Sequence, residues 1–384
     1  MAARRVLIYR NELLPPSETF ILSQANALRR FQPVFAGLER ISNGLEIAPH
    51  PTITLSHSES CSEKAKRRIF LRTGYASRFV RTIATQNPQI IHAHFAIDAG
   101  AVVSIAKKLS IPLIATLHGY DVTSTAAAMN TWPTTRTYIR RKKELWEYAS
   151  VFICVSEHVR QQALARGFPE EKLWVHPIGV DLNECNHSEQ PRDKRIVLFV
   201  GRLVEKKGCI YLIHAMSRVQ KSIPDVRLVI VGDGPLRNEL EREATQCCKE
   251  VLFLGQQPYA EAKRWMQRSR VLAVPSVRAK NGDSEGLPTV LCEAQAFGLP
   301  PITFVTSGVT EALPVIRRSD MPPEGDVAGL SQKIIHLIED DDVWQIASDA
   351  GRQYVKARFD LSEQTRILED KYEDVIARDR KSVV

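Results

Sequence analysis

The sequence predicts two α/β domains in tandem, each a doubly wound, mostly parallel sheet with helices on both faces. Three observations carry this. The strand candidates are short continuous apolar runs instead of apolar–polar alternations, the pattern of strands buried on both faces. Helix-like stretches separate most of them, as parallel crossovers require. The length, 384 residues, exceeds one ordinary domain and suits two of about 190 residues each.

In the first half the strand candidates are Val6–Tyr9, Val34–Ala36, Ile90–Ala93, Leu113–Leu117, Val151–Val155 and Trp174–Pro177. In the second half they are Ile196–Val200, Val226–Val231, Val251–Leu254, Val271–Val274 and Ile302–Val305. The stretch Leu182–Lys194 is polar, contains a proline and lacks periodicity, so it reads as a linker. The expected organisation is a first domain over 1–182, a linker over 183–194, a second domain over 195–361, and a C-terminal helix over 362–384 that packs back on the first domain.

The composition, 44% hydrophobic and 25% charged, is that of a soluble globular chain with apolar residues enough for two cores. Met1-Ala-Ala-Arg-Arg leads directly into the strand-sized run Val6–Tyr9, not into a secretory leader, and no apolar run approaches the roughly 18 residues of a membrane span. A cytoplasmic location is expected. The seven cysteines (61, 154, 185, 209, 247, 248, 292) show no C-x-x-C spacing and point to free thiols, with neither zinc nor a disulfide framework. The charge is uneven: residues 1–190 hold 23 Lys and Arg against 16 Asp and Glu, nearly the whole net charge of +8. That half is expected to face something anionic.

The densest signal is Ser284-Glu285-Gly286-Leu287-Pro288-Thr289-Val290-Leu291-Cys292-Glu293-Ala294. A Gly-Leu-Pro turn with Pro288 as first helical residue leaves free N–H groups at a helix start, where an anion binds without a metal. Glu285 and Glu293 then suit two carboxylates accepting from sugar hydroxyls on either side of a diphosphate. A second motif, Val200-Gly201-Arg202-Leu203-Val204-Glu205-Lys206-Lys207-Gly208, follows the first strand of the second half. Strand C-terminal ends are where ligands bind in open α/β sheets. Arg202 offers a planar fork for phosphate and Lys207 a mobile point charge.

Together with Val231-Gly232-Asp233-Gly234-Pro235, these motifs resemble the retaining glycosyltransferases of the GT-B fold (group 1, family four). That family includes sucrose synthases, phosphatidylinositol mannosyltransferases and bacterial exopolysaccharide enzymes of the colanic-acid type. The resemblance covers most of the chain and is strongest over 195–300. It implies two Rossmann-like domains facing a cleft. It also implies that Arg202 and Lys207 bind the donor diphosphate, that Glu285 contacts donor-sugar hydroxyls and that Glu293 contacts the ribose. Gly286, Leu287 and Pro288 form the loop between these carboxylates, and Gly232 and Gly234 are turn glycines near the nucleotide. His118, in Thr116-Leu117-His118-Gly119-Tyr120-Asp121, matches the family's histidine that reaches the donor sugar.

Ser17, Glu18, Thr19, His94 and Asp121 are expected on the acceptor side, with Ser17 capping the next helix. His92 and His94 lack the companions of a metal site and read as packing or acceptor contacts. Two basic clusters, Lys64 to Arg81 interleaved with Ile69, Phe70, Tyr75 and Phe79, and Arg140 to Lys143 before Leu145 and Trp146, suit an anionic leaflet or a plain solvated helix face. The domain's charge favours peripheral membrane contact and a polyprenyl-diphosphate-linked acceptor; no nucleic-acid motif accompanies it.

The resemblance implies hexosyl transfer with retention from a nucleoside diphosphate sugar, UDP-hexose before GDP-mannose, to a growing glycan, with no cofactor and no metal. Relatives carry histidine-glycine-glycine-isoleucine-proline-glutamate and then a glycine-bearing loop. Here Thr306-Ser307-Gly308-Val309-Thr310-Glu311 leads to Pro314-Val315-Ile316-Arg317-Arg318-Ser319-Asp320. Glu311 is kept and the later glycines are absent, so the 305–320 loop is either re-specialised or weaker in donor binding. Two alternatives stand beside the transferase: a degenerate sugar-nucleotide-binding protein, and an epimerase of the same fold, which needs an acid/base pair that the sequence does not display.

Overall fold

The computed structural model describes residues 4–58, 60–183, 185 and 192–382. The chain divides into two compact units, Met1–Gly179 with Leu361–Val384, and Val180–Asp360. Of the expected linker, residues 184 and 186–191 lie outside the described residues.

Unit 1 contains strands β1 (Arg4–Tyr9), β2 (Glu12–Leu13), β3 (Phe31–Gly37), β4 (Glu39–Arg40), β5 (Thr52–Thr54), β6 (Ile90–His94), β7 (Leu113–Leu117), β8 (Val151–Cys154) and β9 (Leu173–Val175). Seven form one sheet in the order β5-β3-β1-β6-β7-β8-β9, and β2 pairs with β4 apart from it. All the pairings are parallel; Leu7, for example, sits between Val34 and Ile91. Val6–Tyr9 is buried on both faces, which is why the run is apolar throughout instead of alternating.

All six expected strands of this half are present, and β2, β4 and β5 are additional. At two or three residues they are too short to show a period. Helix Thr19–Asn26 starts at Glu18, not at Ser17, and has no side-chain cap. Helix Leu361–Ser382 places Leu368, Tyr372 and Val375 in the unit 1 core. Its Glu369 accepts from the backbone N–H groups of Arg29, Arg30 and Phe31 at 3.0, 2.6 and 3.1 Å, holding the turn into β3.

Unit 2 contains β10 (Asp193–Val200), β11 (Arg227–Val231), β12 (Val251–Gly255), β13 (Ser269–Ala273) and β14 (Pro301–Ile302), in the parallel order β12-β11-β10-β13-β14. β10 opens earlier than the expected Ile196 because Asp193 already pairs with Ser269. β14 is shorter than the expected Ile302–Val305, since Val305 leaves the sheet and bridges to Pro323. All seven cysteines are free thiols, with Cys154, Cys209 and Cys292 buried.

Candidate functional site

In unit 2 the loops after β10, β11 and β13 press against one another at the C-terminal edge of the sheet. Gly208 ends the β10 loop at φ +65°, and a Cβ there would lie 1.8 Å from the Pro275 carbonyl oxygen. At Gly232 (φ +142°) a Cβ would meet the Gly201 carbonyl oxygen at 1.9 Å, and at Gly234 the Leu203 carbonyl oxygen at 2.5 Å. These close approaches admit only glycine and set Arg202 and Lys207 at the edge. Leu203 N–H donates to the Asp233 carbonyl at 2.9 Å, closing the same loop pair.

Lys207 Nζ lies 2.8 Å from Glu285 Oε1, both side chains nearly buried. Beside them Lys206 Nζ donates to Asp283 Oδ1 at 3.1 Å. Burial opposes ionisation of Glu285, yet Lys207, then Lys206 and Arg202, hold its carboxyl below the usual range. Arg202 is exposed, and its guanidinium makes no hydrogen bond or ion pair with a described residue. The structure therefore brings Arg202, Lys207 and Glu285 together electrostatically.

Gly286, Leu287 and Pro288 are buried, and Pro288 is the N-cap of helix Thr289–Ala296, not its first residue. Its ψ of 98° is extended, so the helix begins one residue later than the sequence implies. Glu293 stands half-buried on this helix, 3.3 Å from the Tyr259 hydroxyl. The backbone of Gly308 supports the loop from behind: its N–H donates to the Glu285 carbonyl at 3.0 Å, and a Cβ would lie 1.7 Å from the Gly286 carbonyl oxygen.

Unit 1 gathers the remaining predicted residues at the C-terminal edge of β1, β6 and β7. Glu18 is buried and receives Arg10 through Nε at 2.8 Å and Nη2 at 2.5 Å. Arg10 also binds Asp98, which accepts from Asn11 N at 2.9 Å and from Asn11 Nδ2 at 2.6 Å. Ser17 is exposed and Thr19 half-buried. Asp121 is buried and accepts from the backbone N–H groups of Ala96 at 2.8 Å and Gly119 at 3.1 Å, tying the β6 and β7 loops together. His94 is buried, and its Nδ1 meets His118 Nε2 at 3.1 Å.

Residues 183–354 match the family described as glycosyl transferases group 1, and residues 40–184 match glycosyltransferase family 4. The chain belongs to the group 1 glycosyltransferases. It is similar to a putative teichuronic acid biosynthesis glycosyltransferase of Bacillus subtilis, 29% identical over 78% of this chain and 75% of the relative. It is also similar to a GDP-mannose-dependent monoacylated alpha-(1-6)-phosphatidylinositol monomannoside mannosyltransferase of Corynebacterium glutamicum, 30% identical over 64% of this chain and 66% of the relative. The crystal structure of Anabaena HepE in complex with UDP-glucose superposes with a TM-score of 0.76 at 19% identity, covering 96% and 99% of the two chains, so the GT-B fold is shared.

In this glycosyltransferase the unusual 305–320 segment buries Arg317 while exposing Val315 and Ile316 by 71% and 70%. All three guanidinium nitrogens of Arg317 are sealed without a hydrogen-bond partner among the described residues. The ion pair with Asp320 is long, 3.8 Å, and Asp320 also holds Lys333. A buried charge with so little compensation costs stability. Arg317→Met therefore stabilises unit 2 by about 1–3 kcal/mol, read as a higher melting temperature; a lower one contradicts the account.

The Arg10–Glu18–Asp98 network was missed in the sequence, although a lone aspartate in the apolar run Ala96–Ala106 is a signal for a buried partner. Its neighbourhood also makes unit 1 sensitive to acid. Burial lowers the pKa of His92 to about 3 and of His176 to about 4, and holds His94 and His118 well below the ordinary value. Burial raises Asp98 and Asp121 to about 6.

Between pH 6.5 and 4 the unfolded chain takes protons on the four histidines that the native state refuses, so stability falls as the pH falls. The two aspartates act oppositely over part of that window, since their native forms protonate first. Four groups outweigh two. The melting temperature accordingly drops from pH 7 to pH 5, and less steeply in His92→Asn; a flat or rising profile contradicts this.

Proposed function

We propose that the protein transfers a hexose, with retention of anomeric configuration, from a nucleoside diphosphate sugar to a growing glycan in cell-surface polysaccharide synthesis. The observation that carries the reading is the group formed by Arg202, Lys207 and Glu285 at the sheet edge, beside the start of helix Thr289–Ala296. Without substrate, Lys207 and Glu285 neutralise each other. A donor diphosphate draws Lys207 and Arg202, and Glu285 is released to accept from hydroxyls of the donor sugar. Glu293 takes the ribose, oriented by Tyr259. As the bond to the anomeric carbon breaks, the acceptor hydroxyl oxygen bonds that carbon from the same face and its proton passes to the departing phosphate oxygen. Charge on the leaving diphosphate is stabilised by the two cations and the N-terminal turn of the helix. In unit 1, His118 offers a ring N–H to an oxygen of a bound sugar substrate.

The relative named for teichuronic acid biosynthesis supports a polysaccharide product. UDP-glucose in the Anabaena structure supports a UDP-hexose donor, with GDP-mannose next on the mannosyltransferase relative. A thermal-shift panel of UDP- and GDP-sugars, followed by anomeric analysis of the product formed from the best ligand, tests the reading. Retained configuration is the expected result; an inverted product, or no transfer and no hydrolysis with any donor, overturns it.

The acceptor in this reading is lipid-linked and is met at the cytoplasmic face of a membrane. Among the described residues no helix is long and apolar enough to cross a membrane. Ile69 and Tyr75 are 56% and 62% exposed, among the exposed Arg68, Arg72, Arg78 and Arg81. Apolar side chains framed by arginines suit an anionic leaflet. Arg140 and Arg141 bond inward, to the Leu71 carbonyl at 3.3 Å and Ser104 Oγ at 2.9 Å, and take less part. The protein should float with phosphatidylglycerol vesicles at low salt, and Ile69→Ser/Tyr75→Ser should not; equal flotation of both contradicts the assignment.

A further inference from the structure

Three imidazoles stand in a row at the C-terminal edge of the unit 1 sheet. His92 and His94 share a face of β6 because side chains two apart in a strand point the same way, and their rings stack at 4.4 Å. His94 then faces His118, just past β7, with ring centroids 5.3 Å apart and Nδ1 and Nε2 3.1 Å apart. Both nitrogens of His92 are occupied, Nδ1 by the Tyr372 hydroxyl at 2.5 Å and Nε2 by Thr116 Oγ1 at 2.6 Å. His94 differs: its Nε2 is sealed with no partner among the described residues.

Burial keeps His94 and His118 neutral, so each ring carries one proton and their contact has two conceivable polarities. If His118 donates from Nε2, His94 must keep its own proton on Nε2, an N–H orphaned in the interior. If His94 donates from Nδ1, its sealed Nε2 is a bare lone pair. Orphaned buried N–H groups are the rarer and costlier case. The second polarity forces the proton of His118 onto Nδ1. That nitrogen bonds no described residue and is not among the sealed atoms, so it faces outward. Phe95 and Phe20, with ring centroids 4.5 and 5.1 Å from that of His118, flank the ring. Phe95 does so from a left-handed backbone conformation, φ 72°, which a bulky residue adopts only under constraint.

We propose that His94 is a positioning residue for the transfer reaction. By donating from Nδ1 to Nε2 of His118, it fixes the tautomer in which His118 presents Nδ1–H to an oxygen of the bound sugar substrate. This inference rests on the role of His118 in the proposed function; His94 itself touches no substrate.

Nitrogen-15 spectra of histidine-labelled protein, with His118 assigned from the peaks lost in His118→Ala, test it without substrate. The expected result is a His118 protonated on Nδ1 in the wild type and a tautomer mixture in His94→Leu. A His118 protonated on Nε2 in the wild type overturns the proposal.

Kinetics supply the second arm, using the first of UDP-glucose, UDP-galactose and GDP-mannose that is turned over. His94→Leu should lower kcat about 10- to 100-fold with donor KM little changed. His94→Asn, whose Nδ2 stands in for the imidazole Nδ1, should recover most of it. In a His118→Ala background His94→Leu should cost nothing further. An equal cost in that background shows a merely structural role and overturns the proposal while leaving the function standing. Wild-type turnover in His118→Ala itself overturns both the role of His118 and this inference.

Discussion

Lys207→Ala lowers the rate of sugar transfer by about 100- to 1000-fold, the usual cost of losing one preorganised charge from a developing anion. The loss falls on kcat as well as on donor affinity, because the charge on the diphosphate grows as it leaves. The ion pair with Glu285 (2.8 Å) complicates the single change, since Glu285 is then left nearly buried without its main counter-charge. The double variant Lys207→Met/Glu285→Gln removes both charges and preserves the shapes. It should melt near the wild-type temperature and transfer as slowly as Lys207→Ala. Near-wild-type turnover in either variant contradicts the donor-site assignment, and turnover lost only in proportion to unfolded protein assigns the pair to stability. Measurable donor hydrolysis or transfer in the wild type also separates a transferase from a degenerate sugar-nucleotide-binding protein.

Arg10→Met destabilises unit 1 by about 3–5 kcal/mol, the cost of breaking a buried charge network by removing one partner. Arg10 is 11% exposed at its side chain, and its partners Glu18 and Asp98 are 10% and 4% exposed. Removal strands two carboxylates in the interior. One of them, Asp98, already sits at about 6 because burial outweighs the help of Arg10. Denaturant unfolding of the variant reads the loss, and part of it should be recovered at pH 5, where Asp98 takes a proton. A change below about 1 kcal/mol would class the network as a surface-like ion pair and contradict the account.

Much of the architecture was legible because burial on both faces leaves an unbroken apolar run, as in Val6–Tyr9 and Leu113–Leu117. All eleven strand candidates lie on or overlap strands. The three missed strands are held by neighbours and not by their own pattern: Glu12–Leu13 pairs with Glu39–Arg40 across a long sequence separation, which no local period reveals. Capping was the weakest local inference. Ser17 is a favoured cap type, yet the helix starts at Glu18, whose carboxylate is taken by Arg10. Pro288 likewise caps instead of opening its helix.

At the candidate site, the residues of the two loop motifs were legible because strand ends dictate where they project. The Lys207–Glu285 pair, the Tyr259–Glu293 contact and the Arg10 network depend on which loops meet, and that is a tertiary fact. The stacking of His92 on His94 follows from their spacing in β6, whereas the approach of His118 depends on the β6–β7 register, Ala93 opposite Ala115 and His94 opposite Thr116.

The central claim is that the donor nucleotide lies against the loops Gly201–Gly208 and Gly286–Leu291. Amide hydrogen exchange with and without UDP or GDP, whichever raises the melting temperature, measures this directly. Slower exchange in both segments on adding the nucleotide is the predicted result. Unchanged exchange in both, while the same nucleotide still raises the melting temperature, would place the donor elsewhere and contradict the account.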